Sequence, residues 1–167
     1  MRMAAIIIAM LLSTLSVWGQ QPAANDAEAN KALVQRAFQA FNQGDVKTLN
    51  DAFDPKGAIH GRRGQDKLQG GPFTELKDSC PMCAALSNRQ IKIDLIVAEG
   101  DLVAVRSTWS GKYSGTVRGT TVADKDVSVI YTNFYRVAGG KIVENWYQQD
   151  SLGLAEQLDF KLMPPTH

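Results

Sequence analysis

The hydrophobic pattern changes its period once along the chain, and this change limits the fold more than any other feature. Between residues 33 and 53, apolar residues recur every three or four positions, which predicts amphipathic helices. From residue 90 to residue 149 they mostly alternate with polar residues, which predicts strands. Helices gathered early and strands gathered late favour an α+β fold, in which the helices pack on one face of a curved antiparallel sheet.

Two helices are predicted before the strands. The first begins at Asn25 or Asp26, either of which can cap a helix, and ends at Gly44. Asp45 can cap a second helix, which Pro55 ends. After these helices, a short strand is predicted at residues 58–60, a loop at 61–72 and a partly helical segment at 73–87.

The strands form a meander joined by turns at residues 99–101 and 138–140, where Gly is present. A segment rich in Gly and Thr, residues 111–124, is predicted to be looser than its neighbours. Residues 152–160 form a closing helix or tail. The predicted strands are residues 90–97, 102–110, 126–137 and 141–149.

The first 19 residues are typical of a secretory signal peptide. Arg2 supplies a positive start, residues 4–12 are apolar, and residues 17–19 resemble a cleavage site that would leave Gln20 as the new N-terminus. The apolar run is shorter than the roughly 20 residues that a membrane span needs. We therefore expect export to the periplasm or the medium, with no stable membrane span after cleavage; an uncleaved anchor is the alternative.

The rest of the chain predicts one globular domain. A linker at 20–28 precedes a domain at 29–160 and a C-terminal tail at 161–167. With 44% hydrophobic and 21% charged residues, the composition of the 167-residue chain is ordinary for such a domain. The net charge of +1 and the lack of clustered Lys and Arg give no indication of nucleic-acid binding.

Cys80 and Cys83 form a CxxC pair. In an exported protein a short structural disulfide is the first interpretation; two reduced, partly buried thiols or a redox pair are the alternatives. Redox enzymes place such a pair in a βαβ pattern, which this sequence lacks. Ala84 stands where c-type haem attachment needs His, and a zinc site would have only His60 and His167 to draw on. No metal site and no cofactor are predicted.

Four segments together carry a resemblance to a known family. They read LVQRAFQAFNQGD at 33–45, IH at 59–60, VAEGDLVAVR at 97–106, and YRVAGGKIVENW with DSLGLAEQL at 135–146 and 150–158. In these segments the chain resembles the SnoaL-like polyketide cyclases of the nuclear transport factor 2-like superfamily. The resemblance implies a cone-shaped, cystatin-like α+β fold with the N-terminal helices on the concave face of the sheet. It also implies one small-molecule pocket and a homodimer formed through the open sheet face.

The resemblance implies an acid–base role for Asp150 and a pocket position for His60. If the last strand stays regular, Asp150 points the same way as Ile142, Glu144 and Trp146. The alternative for Asp150 is an N-cap of the closing helix, since Asp is a favoured capping residue. The alternative for His60 is a partly buried side chain bonded to a backbone carbonyl.

Aromatic and amide side chains on the strands are candidates for binding a substrate, or else belong to the core. Tyr113 stands where many relatives have His. Glu144 and Arg136 are expected to form a cross-strand ion pair. The candidate substrate-binding residues are Trp146, Trp109, Tyr131, Asn133 and Tyr113.

Three functions remain open at this point. The first is a cofactor-independent cyclase, isomerase or lyase that acts on a hydrophobic carbonyl compound through Asp150 and His60. The second is an exported protein that binds a hydrophobic small molecule without catalysis. The third is an interaction module that dimerises through its sheet.

Overall fold

The computed structural model describes residues 24–61, 66–68, 71–79, 81–117 and 119–161. The predicted signal peptide, Cys80 and the last six residues of the predicted tail lie outside the described residues. So do residues 20–23 of the predicted linker.

The first two helices follow the sequence prediction closely. Helix α1 spans Ala24–Gln43, and its apolar stripe, which includes Val34 and Phe38, is buried. The chain leaves α1 through Gly44 with a φ of 70°, a left-handed conformation that favours glycine. Asp45 then caps helix α2 (Val46–Ala52), as predicted. The remaining helices are short: α3 at Leu76–Ser79, α4 at Pro81–Ala85 and α5 at Ser151–Gln157.

One sheet holds all six strands of the described residues, in the order β2-β1-β6-β5-β4-β3. The strands are β1 (Phe53–His60), β2 (Lys67–Leu68), β3 (Leu86–Glu99), β4 (Leu102–Val117), β5 (Thr120–Ala138) and β6 (Lys141–Gln149). The predicted meander is confirmed as β3 to β6, which pair antiparallel. Strand β1 is longer than predicted and pairs parallel with β6, so the sheet is antiparallel in all its pairs but one. The predicted α+β class, with the N-terminal helices on the concave face of a curved sheet, is confirmed.

The prediction of a looser segment at 111–124 is wrong. Strand β4 continues to Val117, and β5 starts at Thr120 after a turn at Gly119, whose φ is 83°. Thr and Val in this stretch favour extended structure, while the glycines suggested a break. Gly111 is needed there because a Cβ would lie 2.7 Å from the Ser87 carbonyl oxygen on β3.

The helices and the buried side chains lie on one side of the sheet, which we call the inner face; the opposite side is the outer face. Alternate residues of β4 and β5 point inward, as predicted from their period of two. The buried inward residues of these two strands are Val103, Val105, Ser107, Trp109, Tyr113, Val127, Val129, Tyr131, Asn133, Tyr135 and Val137. Among the described helices, none is long and apolar enough to span a membrane.

A β-bulge in β6 reverses the prediction for that strand. Ile142 pairs with Val137 and is buried on the inner face, but the next pair is Glu144 with Arg136. The extra residue, Val143, shifts the alternation by one. Ile142 therefore does not share a face with Glu144 and Trp146, and the prediction that it does is wrong. From the bulge onward, the inward residues are Asn145, Tyr147 and Gln149.

Candidate functional site

Six side chains with hydrogen-bonding groups stand together on the inner face of β5 and β6. We call this set the inner-face grid. It pairs Tyr131 with Gln149, Asn133 with Tyr147 and Tyr135 with Asn145 across the two strands. Because side chains on one face of a strand repeat every two residues, each row of three spans about 13 Å.

Two hydrogen bonds inside the grid fix which polar groups stay free. The Tyr131 hydroxyl donates to Gln149 Oε1 (2.7 Å), and Asn133 Nδ2 donates to Asn145 Oδ1 (3.0 Å). Each amide on β6 therefore has its oxygen occupied. Its nitrogen, with two N–H donors, makes no hydrogen bond with the part of the chain that the structure describes.

Two polar groups on the β5 side of the grid also lack a hydrogen-bond partner among the described residues. Tyr135 and Asn133 are each only 5% exposed, yet the Tyr135 hydroxyl and Asn133 Oδ1 have no protein partner among the described residues. In the same residues, His60 Nε2 and Arg89 Nε are the only fully buried side-chain nitrogen or oxygen atoms without a partner. The Tyr135 hydroxyl and Asn133 Oδ1 are therefore not fully buried, and we call the space that these two groups face the cavity.

Aromatic rings surround the grid. The Trp109 ring lies 5.0 Å from the Tyr131 ring and 6.0 Å from the Phe41 ring, measured between centroids. Its Nε1 donates to the buried Ser107 Oγ (3.1 Å). The Phe38 ring meets Tyr135 edge-on at 6.2 Å. A ligand in this cavity would thus meet apolar ring surfaces and a small number of polar groups, as is usual for small-molecule sites.

The grid carries no formal charge. Burial raises the pKa of Tyr135 well above its ordinary value, and burial followed by the nearby Tyr147 raises the pKa of Tyr131. Both phenols therefore keep their protons at neutral pH. The other members of the grid are amides and a third phenol, so the grid binds through neutral donors and acceptors.

The predicted binding residues divide between the two faces. Trp109, Tyr131 and Asn133 come together at the cavity, and Tyr113 is buried on β4, opposite Leu86 of β3. Trp146 lies on the outer face because of the bulge. The structure therefore does not bring Trp146 together with the other four.

His60 lies beside Trp146 on the outer face, and we call His60, Trp146, Arg136 and Glu144 the outer-face cluster. The His60 ring stacks on the Trp146 ring with centroids 5.0 Å apart, and the Arg136 guanidinium lies 5.6 Å from the same ring. The predicted Arg136–Glu144 ion pair is confirmed, with Nε and Oε2 2.7 Å apart. The hydrogen bond to Glu144 is the largest of the effects that raise the pKa of Arg136. Glu144 Oε1 is 3.5 Å from His60 Nε2 but does not form a hydrogen bond with it.

Asp150 is exposed at the end of β6 and caps helix α5. Its Oδ1 accepts a hydrogen bond from the Gly153 N–H (2.8 Å). A Cβ at position 153 would collide with the Asp150 carboxylate, which explains the glycine at this position. His60 pairs with Trp146, four residues before Asp150, so the two acid–base candidates lie about 13 Å apart along the strand. The structure does not bring them together, and their catalytic roles stay predictions.

Cys83 is buried and disulfide-bonded. The only other cysteine of the chain is Cys80, which is not among the described residues. The Cys83 carbonyl accepts from Arg89 Nη1 (3.3 Å), and Arg89 Nη2 donates to the Phe41 carbonyl (2.7 Å). Arg89 thereby ties α4 to the end of α1.

Sequence reasoning missed three members of the grid: Asn145, Tyr147 and Gln149. The three on β6 were missed because a regular strand would have pointed them outward. The adjacent apolar pair Ile142–Val143 breaks the alternation and was the available signal for the bulge. Over the residues that the structure describes, no three His, Cys, Asp or Glu side chains are grouped closely enough to hold a metal ion.

Comparisons with known proteins agree with this fold. IdmH, a candidate polyketide cyclase from Streptomyces antibioticus, is 26% identical, with a TM-score of 0.62 over 78% of this chain and 98% of that one. A candidate SnoaL-like polyketide cyclase from Jannaschia sp. CCS1 is 18% identical, with a TM-score of 0.67 over 87% and 99%. AclR, a candidate hydroxylase from Streptomyces galilaeus, is 22% identical, with a TM-score of 0.65 over 83% and 90%.

No curated protein sequence is significantly similar to the chain. The profile of the SnoaL-like polyketide cyclases, by contrast, matches residues 32–158, which is most of the chain. The match includes all six strands and α5, and with them the inner-face grid. The chain therefore belongs to the SnoaL-like polyketide cyclase family, within the nuclear transport factor 2-like superfamily.

Proposed function

We propose that this protein binds a hydrophobic carbonyl compound against the inner-face grid. The observation that carries the proposal is the Tyr135 hydroxyl, which has no hydrogen-bond partner among the described residues and stands in a buried wall of aromatic rings. Apolar rings would supply most of the binding free energy by leaving water. The free amide N–H groups of Gln149 would bond the carbonyl oxygen and orient the ligand.

Tryptophan fluorescence tests this proposal, since Trp109 lies on the inner face and Trp146 on the outer face. Titration with an uncharged aromatic ketone, 2-acetylnaphthalene, should quench the emission of the wild type and of Trp146→Phe. The saturable quenching should be absent from Trp109→Phe. Quenching that persists in Trp109→Phe and disappears in Trp146→Phe would place the ligand on the outer face and reject the proposal.

A second candidate function is a cofactor-independent cyclase or isomerase that uses Asp150. Asp150 directly follows Gln149 of the grid, and its Oδ2 has no hydrogen-bond partner among the described residues. The carboxylate would take a proton from a carbon next to the carbonyl, and the electron pair of that C–H bond would move onto the carbonyl oxygen. Amide N–H donors would stabilise this enolate oxygen. Asp150 would then return the proton to that carbon. Alternatively, the enolate carbon would attack a second carbonyl of the ligand, whose π electrons would move onto its oxygen, and Asp150 would protonate the resulting alkoxide.

Deuterium exchange separates binding from catalysis. The probe is 2-tetralone, an uncharged ketone with acidic C–H groups beside its carbonyl, and exchange is followed by NMR against the buffer background. An enzyme should accelerate exchange, and Asp150→Asn should abolish the acceleration while leaving affinity for the ketone unchanged. His60→Gln should have no effect, because His60 stacks on Trp146, about 13 Å from Asp150 along β6. If 2-tetralone exchanges no faster with the wild type than in buffer, the catalytic function is rejected and only the binding function remains.

We further propose that the protein is exported and forms a homodimer through its outer face. The signal-like sequence at 1–19 supports export, and the disulfide at Cys83 fits an oxidising compartment. Mass spectrometry of the protein from its native host should find Gln20 as the first residue. An intact N-terminus in the soluble fraction would contradict export. The exposed apolar side chains of the outer face support dimerisation.

A further inference from the structure

The Gln149 amide is held in one orientation by its partner on β5. Tyr131 keeps its phenolic proton at neutral pH, because burial raises its pKa. That proton is donated to Gln149 Oε1 at 2.7 Å. A flipped amide would present its nitrogen to the phenol, and the Tyr131 proton would lose its acceptor in a buried site, which costs free energy. The two Nε2 donors are therefore directed away from Tyr131.

Asn145 is oriented in the same way by Asn133, whose Nδ2 occupies the Asn145 oxygen. The two free amide nitrogens of β6 thus belong to residues about 13 Å apart along the strand, and the Tyr147 hydroxyl belongs to the residue between them. The row offers N–H and O–H donors. It contains neither a carboxylate nor an ammonium or guanidinium group.

The partly buried cation that lies against the Phe41 backbone is already engaged. Arg89 uses both of its terminal nitrogens on the carbonyls of Phe41 and Cys83, and burial lowers its pKa. An anionic ligand would lose its hydration without gaining a cationic partner from the grid, and such a burial is unfavourable. A neutral carbonyl loses far less hydration and gains an amide donor.

We propose that Gln149, positioned by Tyr131, makes this site select uncharged ligands that present a carbonyl oxygen, and reject their carboxylate counterparts. This inference rests on the proposed binding function and adds its specificity. Gln149 is the residue that would touch the ligand. Tyr131 acts through it and is a positioning residue.

A matched pair of probes tests the selectivity: 2-acetylnaphthalene, a neutral ketone, and 2-naphthoate, a carboxylate on the same ring system. The wild type should bind the ketone at least about tenfold more tightly, which corresponds to roughly one hydrogen bond plus the lost hydration of the anion. Gln149→Leu should weaken ketone binding by about fivefold. Gln149→Arg should reverse the preference, because it supplies the missing cation. Gln148→Leu is the matched control, since its side chain lies on the outer face, and it should change neither affinity.

The positioning role of Tyr131 has its own readout. Tyr131→Phe keeps the ring and removes the proton that orients the amide, so the Gln149 side chain can turn its oxygen to the cavity. Affinity for 2-acetylnaphthalene should fall, while affinity for 2-naphthol, which donates a hydrogen bond, should rise. A variant that is merely loosened would lose affinity for both probes.

The outcomes separate the two proposals. Equal affinity of the wild type for the ketone and for 2-naphthoate overturns the selectivity while leaving the binding function intact. Equal effects of Gln149→Leu and Gln148→Leu overturn the assignment to Gln149. If no quenching by the ketone is seen in the wild type, the proposed function fails, and the selectivity inference fails with it.

Discussion

Asp150 stabilises the start of α5 at the same time as it is the acid–base candidate. Its Oδ1 accepts from the Gly153 N–H, which would otherwise lack a partner in the first turn of the helix. The second oxygen, Oδ2, takes no part in the cap. The two roles therefore use different atoms of one carboxylate, and substitutions that keep the cap can test the chemistry alone.

Removal of the cap should be measurable as a loss of stability. We expect Asp150→Ala to lower the free energy of unfolding by about 1 kcal/mol, while Asp150→Asn and Asp150→Ser, which can also cap, should change it by a few tenths. Urea unfolding followed by circular dichroism measures the difference. Equal losses in all three variants would show that the carboxylate stabilises the fold by some route other than capping.

Asp45 predicts a dependence of stability on pH. Hydrogen bonds from the Thr48 hydroxyl and backbone N–H hold the pKa of Asp45 below its ordinary value of 3.8. A depressed pKa means that this contribution to stability is fully present well above 3.8 and is lost as the pH falls through the lower, folded value. Asn also caps helices, so Asp45→Asn removes the charge but not the cap.

The wild type should therefore be more stable than Asp45→Asn at neutral pH. The difference should disappear in strong acid. Paired urea titrations along the pH scale would show it. A difference that stays constant down to the acid limit would mean that the charge of Asp45 contributes nothing.

At the scale of elements, two side-chain amides act in place of missing strand neighbours. Asn42 bonds the backbone N–H and C=O of Ile91 on the edge strand β3, and Gln157 does the same for Ser128 of β5. Ser128 lies beyond the point where β6 stops pairing with β5. Gln157 thus completes the sheet there and anchors α5, which explains the Gln of the family-like ending structurally.

Replacement of Gln157 should loosen α5 from the sheet. Gln157→Ala loses both hydrogen bonds to Ser128, so we expect a loss of about 1–2 kcal/mol in the free energy of unfolding. Hydrogen exchange at the Ser128 amide should accelerate. Gln148→Ala, an exposed glutamine on β6, is the control and should change neither measurement. Protection of the Ser128 amide that survives in Gln157→Ala would show that another group covers it.

The helices and strands could largely be predicted from the sequence. The face of the sheet on which each side chain lies could not always be predicted. Helix caps at Gly44 and Asp45 and the alternation of β5 depend on local chemistry, which the sequence displays. The bulge at Val143 depends on whether Ile142 packs inward beside Phe53 and Val137, and that choice belongs to packing between distant segments. One inserted residue moved Trp146 outward and the β6 members of the grid inward.

At the scale of the whole molecule, the outer face of the sheet exposes more large apolar side chains than is usual for a surface that contacts only water. Alternate residues of β3, β4 and β5 place large hydrophobic side chains there in contact with solvent. They are Leu95, Val97, Leu102, Ile130 and Phe134. Contiguous apolar surface of this kind marks an interaction site in soluble proteins.

Phe134 tests the proposed homodimer most directly. It is 48% exposed and pairs with Trp146 across β5 and β6 in the middle of the outer face. Phe134→Glu would bury an unpaired carboxylate in each half of a symmetric interface, which is costly. Size-exclusion chromatography with light scattering should find a dimer for the wild type and a monomer for Phe134→Glu.

Leu152→Glu is the matched control for Phe134→Glu and should stay dimeric. Leu152 is also 48% exposed, but it lies on α5 rather than on the sheet. A monomeric wild type, or a Phe134→Glu variant that remains dimeric, would contradict pairing through this face, while ketone binding at the inner face would be unaffected in either case.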